Sequence, residues 1–185
     1  DGTPDPSFVP SFDGPVYALQ LQSDGKIVAG GSFLTLNGAS HERIARVNRD
    51  GSRDASFGSS ADNIVNDVAV AQDGTILFSG SFTMVNGTPS INRIARVYPD
   101  GRLDVDTVTN VAGGLLKTIV SLPNGQALLG GAFTSVGGAT RQRMARVAWS
   151  GANDSTFADP QFTGGQVSSI GVQPNRQYIV GGEFT

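Results

Sequence analysis

Arginine and aspartate recur along the chain in repeated motifs, and these side chains are the ones best suited to bind charged groups. The sequence Arg-(Ile or Met)-Ala-Arg-Val occurs three times, and an aspartate motif recurs with the same period. The planar guanidinium of arginine matches carboxylates and clustered carbonyl groups. The residues concerned are Arg43, Arg46, Arg93, Arg96, Arg143 and Arg146, together with Asp5, Asp54, Asp104 and Asp154.

Two interpretations of these arginines are open. They could form a ring of positive groups that grips an anionic ligand, or each could pair with a repeat aspartate or cap loop carbonyls. A role that is present in every unit is more typical of architecture than of a single binding site. We therefore interpret them as structural residues of the repeat and predict no catalytic and no cofactor-binding residue.

Other residues that could do chemistry are few. His41 is the only histidine and there is no cysteine, so a zinc site is not expected. A Ser–His–Asp arrangement stays open, but no nucleophile motif lies near His41, which we interpret as a surface polar residue. Asp100, Asp104 and Asp106 form the densest acidic cluster, without the spacing of a calcium loop. We predict no metal, no cofactor and no enzymatic activity.

The composition excludes further classes of function. The formal net charge is −3, so no basic face for nucleic acid is expected. No apolar run approaches the roughly 20 residues that span a bilayer, so membrane insertion is not expected. The 25 glycines and 9 prolines indicate many tight turns, which favours an all-β chain.

A glycine–aromatic motif shows that the chain is built from repeats. Its copies follow one another at intervals of 49, 51 and 51 residues. A fixed period of this kind is the signature of a repeat architecture. The copies are Gly30-Gly31-Ser32-Phe33, Ser79-Gly80-Ser81-Phe82, Gly130-Gly131-Ala132-Phe133 and Gly181-Gly182-Glu183-Phe184.

Each unit predicts four antiparallel strands. In the first unit, residues 16–21 and 26–31 flank Asp24-Gly25, which predicts a hairpin with a type I′ turn. A second hairpin follows each arginine motif, and the Asp-x-Ser-Phe motif is assigned to the last short strand. The strands are apolar on both sides, as in sheets packed between neighbours. The fold class predicted is all-β, a β-propeller of four-stranded blades of about 50 residues.

One repeat region over residues 1–185 is predicted, with three full units and one incomplete unit. Their approximate bounds are 5–53, 54–103, 104–153 and 154–185.

These motifs resemble the delta-sixty repeat family of bacterial proteins. The resemblance is carried by Asp-x-Ser-Phe at 54–57, Val-x-Ala-Leu-x-Leu at 16–21, Gly-Gly-x-Phe at 30–33 and Arg-Ile-Ala-Arg at 43–46, and it extends over essentially the whole chain. It implies a β-propeller in a large secreted or surface-attached bacterial protein. It transfers no catalytic residue.

Three and a half units leave the closure of the propeller open, because closed propellers typically have four to eight blades. The chain could be part of a longer array, pair with a second copy, or close alone as a small ring. An open array would expose apolar blade faces. We therefore expect a protein partner at one or both ends: further blades of a longer chain, a second copy, or another surface protein.

The loop between the second and third strands is the best candidate for recognition, since loops on a rigid scaffold often carry it. It covers residues 34–42, 83–92 and 134–142, and a purely connecting role is an equal alternative. The candidate interaction residues are His41, Glu42, Asn92 and Arg141. The function expected is a non-enzymatic scaffold for adhesion, assembly or protein–protein interaction, located outside a bacterial cell or on its surface. The alternative is a lectin-like propeller with a glycan as partner.

Overall fold

All regular structure in this computed structural model is β-strand, and the residues described are 2–3, 5–106 and 110–185. Over those residues the structure contains no helix with the length and apolar character needed to cross a membrane. The strands, in chain order, are β1 (Val16–Leu21), β2 (Ile27–Gly31), β3 (Thr35–Leu36), β4 (Ala39–Ser40), β5 (Ile44–Val47), β6 (Val65–Val70), β7 (Ile76–Gly80), β8 (Met84–Val85), β9 (Thr88–Pro89), β10 (Ile94–Val97), β11 (Val111–Ala112), β12 (Leu116–Leu122), β13 (Gln126–Gly131), β14 (Ser135–Val136), β15 (Ala139–Thr140), β16 (Met144–Ala148), β17 (Gly164–Val172) and β18 (Tyr178–Phe184).

Four blades follow one another along the chain. Antiparallel sheets of three strands, β1-β2-β5, β6-β7-β10 and β12-β13-β16, form blades 1 to 3, and β17-β18 forms blade 4. The first strand of each blade packs against the first strand of the next blade, β1 on β6, β6 on β12 and β12 on β17. This arrangement confirms the predicted all-β class, as an open array of blades rather than a closed ring over the described residues.

The segment expected to form the fourth strand makes only one ladder contact in each of blades 1 to 3. The contacts are the isolated bridges Val47 to Arg53, Val97 to Leu103 and Val147 to Asn153. The aspartate that follows bends the chain away: the Asp54 carboxylate accepts hydrogen bonds from the backbone N–H and the hydroxyl of Ser56. Such a turn competes with the sheet ladder.

The hairpin turns are not of the expected type I′. The Gly25 N–H donates to the Gln22 carbonyl at 2.9 Å, and the Gln22 N–H donates to the Lys26 carbonyl at 2.8 Å. Gly25 has a φ of 81°, while Asp24 is not among the residues with positive φ. This is a type I turn closed by one left-handed residue, which forms a bulge. Arg176 takes the left-handed position in blade 4, with a φ of 66°.

The linker between blades carries an aromatic side chain that packs against both blades. Phe57 is buried in one cluster with Val28 and Ile44 of blade 1 and with Phe78 of blade 2. Phe157 packs in the same way between blades 3 and 4. The third copy of the motif, Asp104 to Thr107, ends at a residue that lies outside the described ones. The linkers therefore contribute to the core rather than only joining blades.

Each predicted recognition loop contains a short ribbon of two-residue strands, β3-β4, β8-β9 or β14-β15. An asparagine side chain fixes the first two ribbons to the linker. The Ser11 and Ser60 N–H groups donate to the amide oxygens of Asn37 and Asn86, both at 2.8 Å. Both asparagines are left-handed, a conformation that asparagine tolerates.

Candidate functional site

The second arginine of each repeat motif joins two elements of the array. Arg46 Nε lies 2.7 Å from Asp54 Oδ2, and both side chains are buried. Arg46 Nη1 also donates to the Pro99 carbonyl of blade 2 at 2.5 Å. One guanidinium thus binds two segments. The first is the linker that follows blade 1, and the second is the hairpin that follows the third strand of blade 2, which we call the outer hairpin.

The same contacts recur one unit further along. Arg96 Nε donates to Asp104 Oδ2 at 2.8 Å, and Arg96 Nη1 donates to the Trp149 carbonyl of blade 3 at 3.0 Å. Arg146 Nε lies 2.8 Å from Asp154 Oδ2. Asp5, by contrast, binds the N–H and hydroxyl of Ser7.

The carboxylate of Asp54 is held in its ionised form. Burial alone would raise its pKa, but hydrogen bonds from Lys26, Ser56 and Arg46 outweigh burial and hold the pKa well below the ordinary value of 3.8. The ionised carboxylate is therefore the shared partner of the Arg46 guanidinium and the Lys26 ammonium.

The first arginines of the motif take a strained backbone conformation, with φ of 69° at Arg43, 67° at Arg93 and 64° at Arg143. Arg93 Nη1 donates to the Val111 carbonyl at 2.8 Å, and Arg143 Nη1 donates to the Phe162 carbonyl at 2.6 Å. Arg43 Nε is buried without a hydrogen-bond partner among the described residues. In this structure the arginines do not converge on a common anion site.

His41 is buried, which contradicts its interpretation as a surface residue. Arg53 Nη1 lies 3.1 Å from His41 Nε2. Burial, and secondarily the charge of Arg53, lower the pKa of His41, against an opposing effect of Asp54. The equivalent pair in the third unit is Arg141 and Asn153, joined at 3.0 Å. The histidine thus takes part in a contact between loop and linker.

The four candidate interaction residues do not form one site, because they lie in three successive loops. Glu42 has an exposed side chain, and its carbonyl accepts a hydrogen bond from the Ala61 N–H at 3.0 Å. It lines an open cleft of about 430 Å³ with His41 and Ser59. Asn92 is half-buried. Their role in recognition stays a prediction.

The two end blades expose positions that are buried elsewhere. Leu19 in β1 is 66% exposed, whereas the equivalent residues Val68, Ile119 and Ile170 are 4%, 3% and 7% exposed. We call the exposed surface formed by Tyr17, Leu19 and Leu21 the leading face.

Blade 4, at the other end of the array, exposes an apolar residue of its second strand. Ile179 in β18 is 60% exposed, whereas its equivalents Val28, Leu77 and Leu128 are between 0% and 1% exposed. We call the surface around Ile179 and Gly181 the trailing face. The sequence predicted that an open array would expose apolar blade faces, but it did not identify the residues that form them. Comparison of the units at these positions would have found those residues.

In each blade a hairpin joins the first strand to the second. Between two neighbouring blades, these hairpins flank a cleft. Between blades 1 and 2 it measures about 570 Å³ and is lined by residues 20–24, Arg46, residues 70–74 and Pro99. Between blades 3 and 4 it measures about 270 Å³ and includes Leu122 and Tyr178. Of these two clefts, the larger one is lined by a repeated arginine, Arg46.

No metal centre is evident in residues 2–3, 5–106 and 110–185, where no group of three or more potential His, Cys, Asp or Glu ligands comes together. The acidic residues of the predicted densest cluster serve other contacts. Asp100 accepts hydrogen bonds from Arg102, and Asp104 binds Arg96.

Comparison with known proteins identifies the repeats. A family model described as a domain of unknown function (DUF5122) β-propeller matches residues 22–57, 71–106 and 122–157. Curated proteins yield no significant match. Among solved structures, a gluconolactonase, XC5397 from Xanthomonas campestris, is similar over 91% of this chain and 69% of its own, with 16% identity and a TM-score of 0.39.

The last comparison contradicts two expectations from the sequence, since the similar structure is that of an enzyme. The expectation of a non-enzymatic scaffold is therefore not retained. The prediction of no enzymatic activity is not retained either. At this identity and TM-score the likeness assigns no reaction to the chain.

Proposed function

The chain belongs to the DUF5122 β-propeller family, and on this premise we propose that it forms one segment of a larger propeller, in which its two end faces bind further blades of the same repeat. The observation that carries the proposal is the exposure of Leu19 and Ile179 at positions that are buried in every other blade. Burying such a side chain stabilises an assembly by roughly 1.5–3 kcal/mol.

The packing at the internal junctions supports this proposal. At the junction of blades 1 and 2, a Cβ on Gly30 would lie 2.6 Å from Val65 Cγ1 and 2.9 Å from Val68 Cγ2, so the glycine makes room for two branched side chains. The trailing face has Gly181 at this position, and a Cβ there would meet nothing within 4 Å in the described part of the chain. In β1, Val16 and Leu19 occupy the positions that Val65 and Val68 occupy in blade 2, and Leu19 belongs to the leading face.

Leading and trailing faces are therefore complementary to one another rather than each to itself. Such a contact is heterologous, so copies would join head to tail and form a ring if the rotation closes. The partner we propose is accordingly a blade of this repeat, supplied in the experiment below by a second copy of the chain.

Sedimentation of the purified chain over a wide concentration range tests the proposal. The wild type is expected to associate. Leu19→Asp and Ile179→Asp should each remain monomeric, because each places a charge in one half of the contact. An equimolar mixture of the two variants should form a dimer, since each retains the face that the other has lost.

Val105→Asp is the matched control, because Val105 is an exposed apolar residue outside both faces. It should associate like the wild type. A wild type that stays monomeric at millimolar concentration, or variants that fail to complement one another, would show that the faces do not bind head to tail.

We also propose that these units are delta-sixty repeats of a bacterial protein that is secreted or attached to the surface. The support is the resemblance of the motifs over the whole chain. In cells that produce the full-length protein, an antibody against the repeats should label intact cells. Labelling only after lysis would refute this location. A glycan partner stays a prediction.

A further inference from the structure

We propose that the cleft between blades 1 and 2 binds a planar aromatic ring with a hydrogen-bond donor, of which indole is the simplest representative. The proposal does not depend on the association of end blades, because it concerns a junction that is complete within the chain. It rests on the comparison of three equivalent junctions between blades and on one buried acceptor.

The junction of blades 2 and 3 shows what occupies this place. Trp149, in the outer hairpin of blade 3, is buried in a cluster with Ala69 and Ala71 at the end of blade 2. Its indole N–H donates to Thr75 Oγ1 of blade 2 at 2.6 Å. An indole that belongs to the chain therefore fills the space between the two blades and is fixed by one hydrogen bond.

The junction of blades 1 and 2 has the same frame without that ring. The hairpin position equivalent to Trp149 is Pro99, and its carbonyl is held by Arg46 just as the Trp149 carbonyl is held by Arg96. The frame is thus conserved between the two junctions, while the side chain that would fill it is replaced by a small one. An open cleft of about 570 Å³ results.

A buried acceptor in this cleft is left without a partner. Gln22 lines the cleft and is buried, and its Oε1, which is shielded from solvent, accepts no hydrogen bond from the described residues. The Gln22 side chain must turn for this oxygen to reach a ligand in the cleft. A buried polar atom in this state costs free energy that a ligand donor would recover. At the equivalent positions stand Ala71, which packs against the cluster that contains Trp149, and Leu122. An amide side chain at this position is therefore particular to the junction of blades 1 and 2 among the three junctions.

The charged groups around the cleft disfavour an anionic ligand. The Arg46 guanidinium and the Lys26 ammonium, which replaces Thr75 at this junction, both pair with the single carboxylate of Asp54, so these three groups together keep one positive charge. Asp24 and Asp73 in the lining of the cleft carry two negative charges, which offset it and disfavour an anion. A neutral ring whose N–H or O–H reaches Gln22 meets these conditions.

Titration calorimetry and saturation-transfer NMR with two probes, indole and N-acetyl-tryptophanamide, test the proposal. We expect a dissociation constant on the order of 1 mM for a probe of this size. Binding of indole alone would indicate a free small molecule as the natural ligand. Tighter binding of N-acetyl-tryptophanamide would indicate a tryptophan side chain of a peptide. Binding of neither probe overturns the proposal.

Variants assign the binding to this cleft. Pro99→Trp should abolish binding, because it supplies the ring that the neighbouring junction has. Gln22→Leu copies the residue at position 122 and should weaken binding about tenfold, through loss of one hydrogen bond. Gln22→Leu keeps the test valid if Pro99→Trp does not fold.

The matched control is Gln173→Leu, which makes the same change at the equivalent position of blade 4. It should bind both probes like the wild type. Probe binding that is unchanged in Gln22→Leu and in a folded Pro99→Trp would place the ligand elsewhere and refute the site.

Discussion

Arg46 of blade 1 donates a hydrogen bond to the carbonyl oxygen of Pro99 in blade 2 at 2.5 Å. The two residues are 53 positions apart, and Arg96 and Trp149 repeat this relationship. Because the same guanidinium also binds the linker through Asp54, the orientation of one blade to the next is set by a repeated polar contact as well as by apolar packing.

The buried ion pair of Arg46 and Asp54 leads to the first prediction. Arg46→Ala should lower the free energy of unfolding by about 3 kcal/mol, because it leaves a buried carboxylate with Lys26 as its remaining cationic partner. Urea unfolding followed by circular dichroism measures this. The control is Arg102→Ala, whose pair with Asp100 is largely exposed and should contribute less than about 1 kcal/mol. Equal losses in the two variants would contradict the structural role.

Two equivalent glycines give a prediction about the packing of blades. A Cβ at Gly130 would lie 2.6 Å from Val167 Cγ1 and 2.7 Å from Thr118 Cγ2. Gly130→Ala should therefore destabilise the chain by about 1–3 kcal/mol. Gly181→Ala, on the open trailing face, should change stability by less than about 0.5 kcal/mol. Thermal unfolding of both variants as monomers distinguishes them, and a tolerated Gly130→Ala would mean that blades 3 and 4 are not packed as described.

The lowered aspartate pKa values predict acid sensitivity. The pKa of Asp154 is held well below 3.8, mainly by the hydroxyl and N–H of Thr156 and further by Arg146 and Gln126. A carboxylate whose pKa is lower in the folded than in the unfolded chain stabilises the fold above its unfolded pKa, and that contribution is lost as the pH falls. The half-buried Asp67, whose pKa is raised by desolvation, acts in the opposite direction.

The free energy of unfolding should consequently fall as the pH is lowered from about 5 to about 2. Urea unfolding at a series of pH values measures the slope. Asp154→Asn should lower stability near neutral pH and flatten the slope, because the variant has lost one of the groups that titrates. A slope that is the same in variant and wild type would show that Asp154 does not contribute.

The sequence predicted the strand period well because glycine and hydrophobic patterns report local structure. The first strand of blade 1 was expected at 16–21, and these are the observed bounds of β1. The fourth strand was not predictable in the same way. Asp54 belongs to a β-like motif, but its carboxylate binds Ser56 and Arg46, and this tertiary competition ends the ladder after one bridge.

Contacts between units were harder to predict than contacts within one. Nothing local to Arg46 indicates that its partner is a carbonyl in the next unit. The open cleft left only a faint signal in the sequence, the change of residue size between Trp149 and Pro99 at one repeat position. The residues of the end faces left a similar one, since the exposure of an apolar residue such as Leu19 depends on the neighbouring blade. Such features become visible only when the units are placed side by side.

Trp149 supplies the last prediction, which concerns the filled cleft. Trp149→Ala should destabilise the chain by about 3–5 kcal/mol, because it removes a large buried side chain and its hydrogen bond to Thr75. If the cleft binds the indole ring without help from its covalent link to the chain, free indole should enter the vacated space in this variant. Indole should then raise the unfolding temperature of the variant, since a ligand that binds only the folded state stabilises it. The double variant Trp149→Ala, Thr75→Val should be rescued less, because the acceptor for the indole N–H is gone. Rescue that does not depend on Thr75 would contradict this assignment of the hydrogen bond, and absence of rescue in Trp149→Ala would show that the cleft collapses when its ring is removed.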